Sequence, residues 1–193
     1  MELTWLGRTG VRVSRLCFGT MSFGGDADEA EAARMYAACR DAGISFFDCA
    51  DAYNGGRAEE ILGRLIAGER DRLVITSKCA VPTGDDPNDR GSNRRHILRT
   101  VEASLRRLQT DRLDVLFLHR WDERTPLEET LRALEDLQRA GKVLYVGCSN
   151  YAAYRLMNSL WISRTRGLIS FATIMPRAAV PVPPDDATVS ADQ

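Results

Sequence analysis

Short apolar runs alternate along the chain with longer stretches in which apolar residues recur every three or four positions. The short runs predict strands at 15–19, 45–48, 73–78, 113–119, 143–149 and 168–174. The longer stretches predict amphipathic helices at 28–43, 57–68, 94–110, 126–141 and 152–167. On the last of these helices, Met157 and Trp161 have the spacing of core residues. Strands this short and continuously apolar are typical of a sheet buried on both faces, so the alternation predicts an α/β fold with a parallel sheet and crossover helices.

Polar residues fall at or just after the carboxyl ends of four predicted strands. These residues are Asp48, Lys78, His119 and the pair Ser149 and Asn150. In a (β/α)8 barrel such strand ends converge on one face, where active sites lie, whereas in an open sheet they would be spread along an edge. The segment 19–28, after the first strand, also lacks the GxGxxG spacing of a Rossmann fold. We therefore predict a TIM (β/α)8-type barrel that is incomplete, with about six strands and five helices.

The regular pattern ends after Thr173, well short of a whole barrel. A full barrel takes about 250 residues, and this chain has 193. Four of the seven prolines lie in the last 18 residues, which have few apolar anchors and no helical period. We therefore expect one domain, a partial barrel at 1–176, followed by a disordered tail at 177–193.

The composition of the chain limits the kinds of molecule that it is expected to bind. The chain has 26 lysines and arginines against 27 aspartates and glutamates, and its formal net charge of −1 argues against a general nucleic-acid or membrane-surface binder. No apolar run is long enough to span a membrane, and the first residues do not resemble a signal peptide. The five cysteines lack the spacing of a metal site and are expected to be reduced and buried. We expect a cytoplasmic protein with no metal, nucleic-acid or membrane partner.

Asp48 alone is more typical of a turn or helix cap than of an active site, but together with Tyr53, Lys78 and His119 it suggests proton chemistry. A free tyrosine has a pKa of about 10, too high for efficient proton exchange at neutral pH, and a neighbouring ammonium group favours the phenolate. Lys78 is the candidate for that ammonium, and Asp48 would supply the anion that a half-buried lysine needs. A neutral His119 can donate a hydrogen bond to a substrate carbonyl. The set suits a proton donor for a carbonyl group that receives a hydride from elsewhere.

Four segments carry a more specific signal because they occur in a fixed order. They are LGRTGVRVSRLCFGTMSFGG (6–25), FFDCADAYNGGRAEEILG (46–63), VITSKC (74–79) and LDVLFLHRWDERTPLEETLRALEDLQRAGKVLYVGCSN (113–150). They resemble the aldo-keto reductase superfamily, and most of all its bacterial branch related to potassium-channel β-subunits. The resemblance covers roughly residues 3–176. It implies NADPH-dependent reduction of an aldehyde or ketone to the alcohol, with a small-molecule carbonyl compound as substrate.

The resemblance also implies roles for individual residues. The catalytic tetrad of the family falls on Asp48, Tyr53, Lys78 and His119, with Tyr53 as the proton donor. The cofactor contacts fall on Gly19, Thr20, Met21, Asp48, Ser149 and Asn150, of which the last two match the pair that holds the nicotinamide carboxamide. Arg120 and Trp121 would form a wall of the substrate pocket. The family binds NADPH without a Rossmann domain, which agrees with the missing GxGxxG.

The sequence departs from the family after the sixth predicted strand. Where the family has a glutamine that also holds the carboxamide, this chain has Met175, in the segment MPRAAV (175–180). The chain resembles a C-terminally truncated member that lacks the part holding the adenosine phosphates. Two alternatives to an enzyme stay open, a non-catalytic remnant and a binding or regulatory subunit like the channel β-subunits. Because an open arc leaves two strand edges unpaired, we also expect homo-oligomers formed through those edges.

Overall fold

The computed structural model describes residues 1–176, so the expectation of a disordered tail at 177–193 lies outside the described residues. The strands are Leu3–Trp5 (β1), Arg12–Ser14 (β2), Phe18–Gly19 (β3), Phe46–Asp48 (β4), Val74–Cys79 (β5), Leu113–Leu118 (β6), Val143–Ser149 (β7) and Thr173–Met175 (β8). The helices are Glu29–Asp41 (α1), Arg57–Ile66 (α2), Arg94–Leu108 (α3), Leu127–Arg139 (α4) and Ala153–Arg166 (α5), with short 3₁₀ helices at Tyr53–Gly56 and Arg70–Arg72. None of these helices combines the length and apolar character needed to cross a lipid bilayer.

Strands β3 to β8 form one six-stranded parallel sheet in chain order. Each neighbouring pair is joined by one of the helices α1 to α5, so every connection is a β–α–β crossover. The sheet curls into part of a barrel, which confirms the prediction of an incomplete (β/α)8 fold. In its register Gly19 pairs with Asp48 and Asp48 pairs with Thr76, so the carboxyl ends of β3 and β4 are level with Thr76, three residues before β5 ends at Cys79.

The boundaries of the first and last predicted strands are wrong. The run at 15–19 contributes only Phe18–Gly19 to the sheet, because the preceding strand, Arg12–Ser14, pairs with Leu3–Trp5 in an antiparallel hairpin. The run at 168–174 becomes strand only at Thr173. Its first residues are bonded to the end of α5 instead, since the Leu168 N–H donates to the Ser163 carbonyl and the Ser163 hydroxyl donates to the Ile169 carbonyl.

The β1–β2 hairpin covers the amino-terminal end of the barrel interior. Leu6 and Val13 pack there against Val74, Val115 and Phe117, which point inwards from β5 and β6. The larger core lies on the other face of the sheet, between the strands and the helices. The hairpin therefore covers one end of the interior, at the opposite end of the strands from the predicted site.

Three residues expected in the core are exposed. Met157 and Trp161 are 63% and 67% exposed, and α5 buries Ser159 and Ser163 instead. The two serines share the four-residue step of the apolar pair but are offset from it by two positions, which places them on the opposite face of the helix. Cys17 is exposed beside the outermost strand, β3, while the other four cysteines are buried free thiols.

The loop at 80–93, between β5 and α3, is fixed to the loop after β6. The Ser92 N–H donates to Asp122 Oδ2 at 2.8 Å, and the Thr130 hydroxyl donates to the Ser92 carbonyl at 2.9 Å. Gly91 makes this approach possible because its backbone is left-handed, with φ of 75°, and because a Cβ at this position would collide with the Asp122 carboxylate.

Gly91→Ala is therefore expected to lower the free energy of unfolding by roughly 1–3 kcal/mol, the cost of a strained φ plus displacement of the Asp122 contact. Chemical denaturation measures the change. Gly141→Ala is the matched control, because Gly141 also has a positive φ, 71°, but has nothing within 4 Å of a built Cβ. Equal losses in the two variants would show that the contact between the loops contributes nothing.

Candidate active site

The interior face of the sheet changes from apolar to polar along the strands. Side chains alternate between the two faces of a strand, so Val74, Thr76 and Lys78 of β5 all point into the barrel. Val74 belongs to the apolar cluster under the hairpin, which Val115 and Phe117 of β6 extend along the interior. Thr76 and Lys78 follow Val74 towards the carboxyl end of β5 and are level with Val115 and Phe117 in the register. Strand alternation therefore places the polar residues of several strands at one end of one interior.

Lys78 is at the centre of this polar layer. Its Nζ donates hydrogen bonds to Asp48 Oδ2 at 2.5 Å, to Tyr53 Oη at 3.0 Å and to the Cys49 carbonyl at 2.9 Å. The Thr76 hydroxyl donates to the other carboxylate oxygen, Asp48 Oδ1, at 2.7 Å. The expectation that Asp48, Tyr53 and Lys78 lie close together is confirmed.

Lys78 holds its charge although only 2% of its surface is exposed. Burial by itself lowers the pKa of a lysine, but the charge and hydrogen bond of Asp48, aided by Tyr53, outweigh it and raise the pKa of Lys78 above its ordinary value. A full positive charge therefore lies within hydrogen-bonding distance of the Tyr53 phenol oxygen.

Tyr53 is positioned by a tight turn that follows β4. Asn54 and Gly55, the next two residues, have left-handed backbones with φ of 50° and 66°. The Asn54 side-chain Nδ2 donates to the carbonyls of Met21 and Phe23, both at 2.8 Å, and so attaches the turn to the loop after β3. The Lys78 ammonium lies 4.8 Å from the centre of the Tyr53 ring.

His119 lies beside the tyrosine. The two ring centres are 6.1 Å apart and the planes meet at 85°. Burial, followed by the charge of Lys78, lowers the pKa of His119 below its ordinary value, so the ring is neutral at neutral pH. Its buried Nδ1 has no hydrogen-bond partner within residues 1–176. The structure therefore brings all four residues of the predicted tetrad together.

Ser149 is the last residue of the next strand, β7, and Asn150 follows it. Asn150 Nδ2 donates to the His119 carbonyl at 2.9 Å and to Ser149 Oγ at 3.1 Å, which fixes the pair against the tetrad. In the described part of the chain, the Ser149 hydroxyl hydrogen and Asn150 Oδ1 have no partner. One free donor and one free acceptor match the oxygen and the N–H of a carboxamide.

The loop after β3 borders the same end of the barrel. The Thr20 hydroxyl donates to the Asp48 backbone carbonyl at 3.0 Å, and Met21 is 67% exposed. A Cβ built on Gly19 would meet no atom within 4 Å, so the space beside this strand end is open. This open space and the free donor and acceptor at β7 fit the nicotinamide end of the cofactor that the resemblance implies.

Sequence comparison agrees with this arrangement. The profile of the Aldo/keto reductase family matches residues 15–178. The chain belongs to the aldo/keto reductase family. It is 42% identical over 184 residues to the uncharacterized oxidoreductase YrpG of Bacillus subtilis, a match that covers 90% of this chain and 56% of YrpG.

Two other similar proteins have more specific names. The probable voltage-gated potassium channel subunit beta of rice is 40% identical over 172 residues, which are 88% of this chain and 52% of that protein. The norsolorinic acid reductase of Aspergillus flavus is 36% identical over 178 residues, which are 84% of this chain and 46% of that protein. The chain thus spans about half the length of the curated relatives it matches.

In this member of the family, Arg120 and Trp121 directly follow His119 and line a cavity of about 500 Å³. The Trp121 ring packs edge-on against Tyr151, with ring centres 5.2 Å apart, and the Arg155 guanidinium lies 5.3 Å from its centre. The indole is therefore held in place from two sides. Its role as a wall of the substrate pocket stays a prediction.

Two polar features of the site are absent from the sequence-based prediction. Thr76, which binds the second oxygen of Asp48, could have been found from its position two residues before Lys78 in a strand. Glu59 is fully buried and accepts bonds from Arg107 Nε at 2.8 Å and from the Ser77 hydroxyl at 2.5 Å, which ties α2 to α3 and β5. The only local signal of that network is a carboxylate on the apolar face of a helix.

Proposed function

We propose that this chain carries the proton-transfer site of an NADPH-dependent reductase that converts an aldehyde or a ketone to the alcohol. The observation that carries the proposal is the single ammonium of Lys78 bonded at once to the Asp48 carboxylate and the Tyr53 hydroxyl. NADPH, when bound, supplies the hydride. The side chains of this protein supply the proton and orient the carbonyl.

Each residue of the tetrad has a separate task. Tyr53 gives its phenolic proton to the carbonyl oxygen as the alcohol forms. Lys78 stabilises the phenolate that remains, because its charge is already in place before the reaction. Asp48 keeps that charge on the buried lysine. His119, as a neutral ring, donates a hydrogen bond that orients the carbonyl oxygen towards Tyr53.

Other residues would hold the cofactor. Ser149 would donate its hydroxyl to the carboxamide oxygen, and Asn150 Oδ1 would accept from the carboxamide N–H. Gly19, Thr20 and Met21 would border the nicotinamide, and Asp48 would contribute to the cofactor site from the tetrad. We place the reaction in the cytoplasm, with a small carbonyl compound as substrate.

Tyr53→Phe tests the proposal because it removes one oxygen and leaves the ring. Reduction of an aromatic aldehyde by the purified 193-residue chain, followed by loss of NADPH absorbance, is expected to fall at least about a hundredfold, the usual contribution of a general acid. Tyr154→Phe is the control, since Tyr154 is 68% exposed and lies outside the tetrad. A Tyr53→Phe variant that keeps wild-type activity and melting temperature would contradict the role of the phenol.

A second candidate function is a regulatory subunit that binds NADPH without turnover. It is favoured by the 40% identity to the rice protein named a potassium channel subunit beta. Titration of the chain against NADPH and NADH fluorescence separates the cases. Binding with no aldehyde reduction favours the regulatory subunit, and no binding of either nucleotide favours a non-catalytic remnant.

A further inference from the structure

A cavity of about 500 Å³ lies between the loops that follow β5 and β6. Ala80, just beyond Lys78, and Arg120, just beyond His119, both line it. The two loops are fixed to one another through Ser92 and Asp122, so the cavity has defined walls. Because Ala80 and Arg120 lie within two positions of Lys78 and His119, a carbonyl compound held at Tyr53 and His119 would have this cavity as a neighbour.

Three arginines line the cavity without an acidic partner. Arg90, Arg120 and Arg124 form no ion pair in the described part of the chain, residues 1–176. Eleven of the other twenty arginines in residues 1–176 form ion pairs, as Arg99 does with Asp89 at 2.6 Å. Unpaired guanidinium groups around a concave surface are the usual means by which proteins recognise carboxylate and phosphate.

The two acidic residues in the cavity wall are already engaged. Asp122 accepts from the N–H groups of Ser92 and Arg124 at 2.8 and 2.9 Å and from the Thr125 hydroxyl at 2.7 Å. Burial opposes its charge, but these hydrogen bonds outweigh burial and lower the pKa of Asp122 below its ordinary value.

Glu123, the other acidic residue, is paired with Arg155 at 2.5 Å. The charge of Glu123 is thus offset by Arg155, whereas Asp122 keeps its negative charge because its donors are neutral. Three arginine charges against one uncompensated carboxylate leave the cavity with an excess of positive charge.

The position of the cavity favours the substrate over the cofactor as the source of the anion. The pair proposed to hold the nicotinamide, Ser149 and Asn150, lies at the end of β7, on one side of His119. The cavity lies on the other side, between the loops after β5 and β6. The part of the substrate furthest from the nicotinamide would lie on the cavity side of His119, so a protein group that recognises it is expected there. The Trp121 ring, which is held in place, would cover the apolar part of the substrate.

We infer that the cavity binds a carboxylate or phosphate on the carbonyl substrate, through Arg120 and Arg124, so that the substrate class is an anionic aldehyde or ketone. The inference rests on the proposed reductase function. Arg90, in the loop after β5, adds a third positive charge from the opposite wall of the cavity.

Equilibrium binding tests the inference without turnover, so failure of the reductase proposal and failure of this inference are distinguishable. The probes are 4-carboxybenzaldehyde and its neutral analogue of the same shape, 4-formylbenzamide, titrated calorimetrically against the full chain. The acid is expected to bind at least about tenfold more tightly at low salt, and this preference should shrink as salt screens the charges. Binding of neither compound, or equal binding of both, overturns the inference.

The double variant Arg120→Gln, Arg124→Gln is expected to lose the preference for the acid. Arg132→Gln is the matched control, because Arg132 is an exposed and unpaired arginine on α4, away from the cavity. NADPH is titrated against the same variants to separate the two sources of an anion. If the double variant loses affinity for NADPH but keeps its preference for the acid, the arginines bind the cofactor phosphates and the inference is wrong.

Discussion

Replacing Lys78 with methionine is expected to lower the free energy of unfolding by about 3–5 kcal/mol, because it leaves the buried Asp48 carboxylate without its cation. Methionine fills a similar volume, so little of the loss comes from a cavity. Asp48 would keep only the Thr76 hydroxyl as a side-chain donor. Chemical denaturation gives the free energy, and the same variant should show no aldehyde reduction.

The chain provides its own control for this experiment, since it contains only two lysines. Lys142 pairs with Glu102 at the surface, where the side chains are 37% and 44% exposed, and Lys142→Met should cost less than about 1 kcal/mol. A double variant, Lys78→Met with Asp48→Asn, removes both charges and should recover part of the loss. If the double variant is as unstable as the sum of its two single changes, the coupling between the charges is absent.

Asp51→Asn is expected to make the protein more stable at pH 8 than the unmodified chain, with a difference of less than about 1 kcal/mol at pH 4. Asp51 is 3% exposed and no side chain within residues 1–176 donates a hydrogen bond to its carboxyl. Burial, followed by the charge of Glu59, raises the pKa of Asp51 to about 7, against which the Ala52 amide and the charges of Arg107 and Lys78 act only partly.

The sign of the effect follows from the raised pKa. Well below the ordinary pKa of 3.8 the carboxyl is protonated in both states, so the raised pKa has no effect on the free energy of unfolding. Between about pH 4 and pH 7 the unfolded chain releases the proton while the folded chain retains it, so the free energy of unfolding falls as pH rises. Above pH 7 the free energy of unfolding is lower, by on the order of 4 kcal/mol, than it would be if the pKa of Asp51 were the same in the folded and unfolded states.

Denaturation curves at pH 4, 6 and 8 measure this dependence. Asp85→Asn is the control, because Asp85 is an exposed loop carboxylate with no ion pair in the described structure. If the stabilities of Asp51→Asn and the unmodified chain change with pH in parallel, the buried carboxyl does not titrate in this range.

The sequence predicts the parallel sheet and the clustering of the tetrad because both follow from short-range pattern. The parallel register pairs Asp48 with Thr76, and alternation along β5 places Lys78 on the same face as Thr76. The hairpin strand Leu3–Trp5 is not part of a buried apolar run, since all three of its residues are exposed. Its pairing depends on Arg12–Ser14, which apolar periodicity alone does not reveal.

Burial of single residues is harder to predict than their position in an element. Trp161 has the spacing of a core residue, yet α5 turns two serines towards the sheet. Asp51 belongs to a polar loop in the sequence, and it becomes buried only because that loop packs beside the ion pair of Glu59 and Arg107, 48 residues apart in the chain. Such burial is a property of tertiary packing, and no local window contains it.

The attachment of Tyr53 gives the site two different kinds of stability. Lys78 and Asp48 belong to β5 and β4, so their pairing is lost only when the sheet itself comes apart. Tyr53 lies on a turn that is held to the neighbouring loop by the side chain of the exposed Asn54. Such a turn can open locally at a small fraction of the global free energy. The charge that stabilises the phenolate is thus permanent, whereas the fraction of molecules ready to give a proton depends on how often one turn is closed.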